Sequence, residues 1–262
     1  MFLIILNLFS VSAAQELVLK NPNFEITFPN ENFPPTLHSK RTGEEVTPTL
    51  TYRLPNNYYS TKKYPLLVYI PGFDGGLKGN IKNAITIADT NSWIVATVPL
   101  FKKKIDRDEP GGGIIVSMED FPVISKCYRI MFEKLFQEVP NIDYNKSTMV
   151  GFSNGAITIA VLISMHDEFI TSHFNNFCLI DHGMFHLTDL HKIGSRDCKY
   201  LILIGDQQDL GRDLKIQRSK LLQDEMKLVG VNLTYEIMKD TGHEFNKKEM
   251  ILVRNWVQNC QK

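Results

Sequence analysis

The sequence predicts an α/β domain in three layers, a mainly parallel sheet with helices on both faces. Three observations lead there. Short apolar, β-branched runs recur along the chain, helix-period segments of ten or more residues separate them, and no repeat, linker or shift of composition divides the 262 residues. A strand, a helical crossover and a second strand pair in parallel with a right-handed connection, and such a sheet is covered on both faces. The length would allow two small domains, but α/β folds of ~250 residues commonly surround one core. Residues 15–262 are therefore expected to be a single domain.

The chain opens on residues 1–14, MFLIILNLFSVSAA, an apolar run that ends in small residues with Ser12 and Ala14 at cleavage positions −3 and −1. This pattern predicts a cleaved signal peptide and a secreted or periplasmic product. The run is shorter than the ~20 apolar residues of a membrane span, so no stable membrane anchor is expected. Residues 21–62 are polar and Pro-rich, with Leu17–Phe28 and Thr49–Leu54 able to add antiparallel strands at one edge. Tyr64–Ile70, bounded by Pro71-Gly72, reads as a fully buried strand, and similar runs recur at Trp93–Val98, Ser147–Phe152, Phe177–Ile180, Tyr200–Ile204 and Asn232–Ile237. Helical periodicity covers residues 80–89, 118–138, 154–165, 215–229 and 246–259. Residues 99–116 carry no period but contain Lys102-Lys103-Lys104 and Gly111-Gly112-Gly113; a loop of that length in a compact domain is usually functional or mobile.

A hydrophobic content of 43% with 22% charged residues excludes a disordered chain, and 29 basic residues balance 29 acidic ones. Without a basic stripe there is no electrostatic footprint for nucleic acid, and a small neutral ligand fits better. Export would make the four cysteines potential disulfide partners. Cys127 falls in a helical pattern and Cys178 in an apolar strand, which leaves Cys198 and Cys260 as the expected bridge. No Cys-x-x-Cys and no histidine cluster at ligand spacing occurs, so no metal and no cofactor is expected. Asn145-Lys146-Ser147 and Asn232-Leu233-Thr234 are sequons that matter only in a glycosylating host.

In a parallel sheet, ligands bind at the carboxyl ends of the strands. There the chain reads Gly151-Phe152-Ser153-Asn154-Gly155, a Gly-x-Ser-x-Gly turn between a strand and a helix. Such a strained turn needs glycines so that the serine oxygen stands clear of the backbone. A serine hydroxyl is a weak nucleophile without a base, and a base needs an orienting acid. Of seven histidines, His243 in Thr241-Gly242-His243-Glu244 follows the last strand; His38, His166, His173, His182, His186 and His191 fit ordinary surface positions. The strand Tyr200–Ile204 ends in Gly205-Asp206-Gln207-Gln208-Asp209, and Asp209 is the preferred acid, with Asp206 and Asp181 as alternatives. Asp213 reads as solvated or as a helix N-cap.

With Pro71-Gly72-Phe73-Asp74-Gly75-Gly76, the serine turn, Asp209 and Thr241-Gly242-His243 in place, the chain from about Tyr52 to Trp256 resembles the α/β-hydrolase fold family. It is most similar to compact secreted esterases of the feruloyl-esterase and polyhydroxybutyrate-depolymerase kind. Pro71 stands where that family usually has histidine. The resemblance implies an oxyanion hole formed by the amide of Asn154 with that of Phe73 or, failing that, Asp74, and a two-step ester hydrolysis through an acyl-enzyme. Only about twenty residues separate the Phe177 strand from the next, so no large cap domain is expected and the site should be open. The expected partner is a small-molecule or polymer-linked ester. Alternatives are a serine peptidase of the same fold and a non-catalytic binding protein that kept the fold. Phe73 and Phe152 could touch the substrate, or Phe152 could pack beneath the serine turn.

Overall fold

The computed structural model describes residues 23–29, 31, 33, 47–72, 79–88, 91–101, 118–187, 198–207 and 211–261. The proposed signal segment 1–14 and the lysine and glycine runs of the 99–116 loop lie outside the described residues. Among the described residues eight strands form one sheet: β1 (Asn23–Thr27), β2 (Thr49–Arg53), β3 (Leu66–Ile70), β4 (Ile94–Thr97), β5 (Thr148–Phe152), β6 (Asn176–Ile180), β7 (Lys199–Gly205) and β8 (Asn232–Met238). Their order is β1-β2-β4-β3-β5-β6-β7-β8. β1 pairs antiparallel with β2 and β2 with β4, while every other neighbour is parallel. The N-terminal strands thus cap one edge of a parallel sheet.

Among the described residues are six helices: α1 (Ile81–Ile87), α2 (Phe121–Glu138), α3 (Asn154–Ser164), α4 (Glu168–His173), α5 (Arg212–Leu228) and α6 (Lys247–Asn259). Five fall where the periodicity placed them. The short α4 has too few turns to show a period, but its start is encoded by Asp167, whose Oδ1 accepts the Ile170 amide at 3.0 Å.

β3 and β6 are buried at every position, which is why they read as continuous apolar runs. Their alternate side chains feed two cores. Leu66, Val68 and Ile70 meet Tyr128 of α2, Ile159 of α3 and Leu222 of α5 on one face. Leu67 and Tyr69 meet Ala84 and Ile87 of α1 and Val253 and Val257 of α6 on the other. Each such aliphatic side chain contributes about 1.5–3 kcal/mol by leaving water, which holds the three layers together.

None of the four cysteines forms a disulfide, which corrects the expected Cys198–Cys260 bridge. Cys198 belongs to the core on the α2, α3 and α5 face, whereas Cys260 ends α6 on the opposite face. Burial pushes the Cys127 thiol up to about 12 and that of Cys260 up to about 11, so neither is a reactive thiolate. Among the described residues no helix is long and apolar enough to cross a membrane.

Candidate active site

The turn after β5 is set by two glycines and one strained serine. A Cβ on Gly151 would lie 2.5 Å from the Gly155 carbonyl, and one on Gly155 would lie 2.2 Å from the Ile70 carbonyl oxygen. Only glycine allows α3 to start this close to β3 and β5. Ser153 adopts φ 53 and ψ −114, and its amide donates to the Ile180 carbonyl at 2.9 Å. These angles match the first central position of a type II′ turn, a glycine position. The strain costs about 1–3 kcal/mol and lifts the hydroxyl off the backbone line. Asn154 is the first residue of α3, so its N–H has no acceptor within the helix and is free to stabilise a negative charge beside Ser153.

His243 meets this serine. Its Nε2 lies 2.9 Å from Ser153 Oγ. The imidazole stacks on Phe152, with centroids 5.1 Å apart, and Phe152 in turn stacks on Phe245. Phe152 therefore packs as the shelf under the histidine ring. The loop carrying His243 is tied at its base, where Thr241 Oγ1 donates to Glu249 Oε1 at 2.8 Å and the Asn246 amide donates to Glu249 Oε2 at 3.2 Å. Glu249 is buried and completes a capping box with Asn246 at the start of α6. The Asn246-x-x-Glu249 spacing is visible in the sequence as a helix start, but its second duty at Thr241 is not.

Three carboxylates were candidates for the third member. Asp209, the preferred one, lies outside the described residues, as do Phe73 and Asp74. Asp206 turns to the backbone: its Oδ1 accepts the Thr241 amide at 3.3 Å. Asp181 is fully buried, and its Oδ2 stands 3.5 Å from His243 Nδ1. Asp181 also takes a left-handed φ of 61°. Around it, burial lowers the Lys215 ammonium although Asp181 pulls it the other way, and burial together with the charges of Lys215, His186 and His243 lowers His182 to about 4. His182 is thus neutral at neutral pH. His173 is far from this chemistry, within an aromatic cluster with Phe136, Tyr144 and Phe169. A groove of about 380 Å³ lies at the β1 edge, lined in part by Ile26, Phe28, Ile130 and Lys134, and contains none of these residues.

The serine turn after β5, the histidine after β8 and the sheet order together define a known architecture, and solved structures share it. The chain superposes on the feruloyl esterase module of Clostridium thermocellum, solved with sinapinate, with a TM-score of 0.56 at 9% identity, covering 90% of this chain and 87% of that one. The chain has the α/β-hydrolase fold. This α/β-hydrolase fold is also shared with the acylaminoacyl peptidase of Pyrococcus horikoshii, with a TM-score of 0.60 at 12% identity, over 92% of this chain and 42% of that one. A Bacteroides ovatus protein assigned as a dipeptidyl aminopeptidase IV gives a TM-score of 0.54 at 13% identity over 91% of this chain. The chain spans only 35% of that protein's length. No protein-family model and no curated protein matches the sequence. Among the described residues no group of three or more histidines, cysteines or carboxylates is placed to hold a metal ion.

Proposed function

We propose that this protein is a secreted serine hydrolase that cleaves carboxylic esters. The observation that carries the reading is the 2.9 Å contact between His243 Nε2 and the hydroxyl of a serine held at a strained, glycine-bounded strand-to-helix turn. A half-exposed imidazole beside a lifted hydroxyl is the pairing that nucleophilic catalysis needs. The feruloyl esterase module among the structural neighbours matches this chain over nearly the full length of both, which favours an ester as substrate. The peptidase neighbour is more than twice as long as the matched region.

In the first step His243 Nε2 takes the Ser153 proton as Oγ attacks the ester carbonyl. The oxyanion is held by the Asn154 amide and, from the turn after β3, that of Phe73 or Asp74. Each such donor is worth about 3 kcal/mol in the transition state. The C–O bond breaks, the alcohol leaves with the proton from His243, and the acyl group stays on Ser153. In the second step water loses a proton to His243, attacks the acyl carbonyl, and Ser153 recovers its proton as the acid departs. The short connection between β6 and β7 leaves no room for a large cap, in keeping with an open site for a small or polymer-linked ester.

Short-chain p-nitrophenyl esters and a fluorophosphonate probe test this. The purified chain should turn over the esters and take up the probe, and Ser153→Ala should lose both. Undiminished turnover by Ser153→Ala would refute the reading, and turnover of p-nitroanilide amides in place of esters would shift it to a peptidase.

A further inference from the structure

We propose that Asp181, at the end of β6, is the positioning carboxylate that orients His243 and stabilises its protonated form, in place of an acid from the turn after β7. This rests on the reading of Ser153 and His243 as nucleophile and base. The register of the sheet carries it. β5 and β6 pair Phe152 with Ile180, so Ser153 and Asp181 leave neighbouring strands at the same height. β6 and β7 pair Ile180 with Leu203, which sets Asp181 level with Ile204 and leaves Asp206 two residues farther along. At ~3.3 Å per residue that is about 7 Å beyond Asp181. Among the described residues, Asp181 is the carboxylate that comes up at the level of the nucleophile.

Its geometry suits the role. The Gly205 amide donates to Asp181 Oδ1 at 2.8 Å, which presents Oδ2 to His243 Nδ1 at 3.5 Å. Contacts of this kind are loose in unliganded sites and tighten in the transition state. Gly205 serves both partners. Its amide pins Asp181, and a Cβ in its place would lie 2.5 Å from the Thr241 and Gly242 carbonyl oxygens, so the loop that carries His243 closes directly over it. Asp206 is engaged differently, through the Thr241 amide, and holds the base of the same loop. In the reaction Asp181 accepts the Nδ1–H hydrogen bond and keeps its charge. The proton moves only between Ser153 Oγ and Nε2.

The test is kcat and KM for the full chain and for Ser153→Ala, Asp181→Asn, Asp181→Glu and Asp209→Asn on a p-nitrophenyl ester. Asp181→Asn should lower kcat about 10³–10⁴-fold, the effect of losing the tautomer-fixing carboxylate. Asn is the closer isostere of Asp181 and Glu keeps its charge, so Asp181→Glu should turn over faster than Asp181→Asn, with KM changed far less than kcat in both. A purely structural role for Asp181 would give the opposite order. Retained turnover in Asp181→Asn, or Asp181→Asn faster than Asp181→Glu, overturns the proposal, and so does a loss of this size confined to Asp209→Asn. If Asp181→Asn does not fold, Asp181→Ser takes its place under the same criterion. Turnover by Ser153→Ala would instead overturn the serine mechanism on which the proposal rests.

Discussion

Ser153 occupies a backbone conformation that suits glycine, so replacing it should separate strain from function. At φ 53 and ψ −114 the serine Cβ is the strained atom, and it lies only 3.3 Å from where a Cβ on Gly72 would sit. Ser153→Ala keeps that Cβ and removes the hydroxyl with its 2.9 Å contact to His243 Nε2. Ser153→Gly removes both. Relief of about 1–3 kcal/mol of backbone strain is set against ~0.4–1 kcal/mol for the greater freedom of an unfolded glycine. Ser153→Gly should therefore be more stable than Ser153→Ala by about 0.5–2 kcal/mol. In a domain of this size that difference raises Tm by about 1–8 °C. Both variants should be inactive towards esters. The assay is thermal unfolding and urea midpoints of the two proteins side by side. At an ordinary loop position the glycine variant would be the less stable of the pair, and that order here would refute the strain argument.

Two further predictions follow from the same region. In Gly155→Ala the new Cβ meets the backbone oxygens of Ile70 and Pro71 at 2.2 and 2.7 Å, neither of which can rotate away. A loss of at least about 3 kcal/mol is expected, at the top of the overpacking range, and an unchanged urea midpoint would deny the close approach of α3 to β3. His182, lowered from 6.5 to about 4 chiefly by burial, is neutral in the fold while the unfolded chain takes up a proton below pH 6.5. Its contribution to stability is fully present above pH 6.5 and is lost as the pH falls towards 4, so His182→Asn should flatten the decline of Tm across that window. An identical decline in both proteins would contradict it.

The strands β3 to β7 were legible because parallel strands buried on both faces are written as unbroken apolar runs, and their helices because each buries a stripe at helical spacing; β8, at the sheet edge with Asn232, Thr234 and Glu236 breaking its apolar run, was legible by its place in the alternation. The turn at Ser153 was legible for a local reason: its glycines and its place between strand and helix are contiguous in the chain. Sequence order also singled out His243 from the other histidines, and the structure brings it to Ser153. The acid is a different kind of problem. Asp209, the preferred acid, lies outside the described residues; of the two alternatives, Asp181 and Asp206 each follow a strand, and which one stands beside the histidine depends on where β6 ends relative to β5 and β7. That is register between segments more than twenty residues apart, which no local pattern records. Cys198 and Cys260 were paired on position alone, and the two opposite faces on which they lie are again a property of the assembled sheet. Glu249 shows the intermediate case, with a capping spacing readable in sequence and a contact to Thr241 that exists only once α6 is docked.

The same register explains how two strained residues persist side by side. Ser153 and Asp181 both have positive φ, at 53° and 61°, and each costs stability where it stands. Each also continues the sheet ladder one step past its own strand. The Ser153 amide donates to Ile180 at 2.9 Å and the Asp181 amide to Leu203 at 2.7 Å. The backbone at the end of β6 is therefore acceptor for the Ser153 turn and donor to β7 at consecutive residues, Ile180 and Asp181. Releasing either residue to an unstrained conformation would forfeit a buried hydrogen bond, worth about 1–3 kcal/mol when its partner is left unsatisfied. That is comparable to the strain itself, so the turns are held by the sheet and not by their own loops. On the proposed reading, a hydroxyl and a carboxylate fixed in this way would not need to be gathered by the substrate, and the half-exposed imidazole of His243, seated on Phe152, would be the group that tightens onto them.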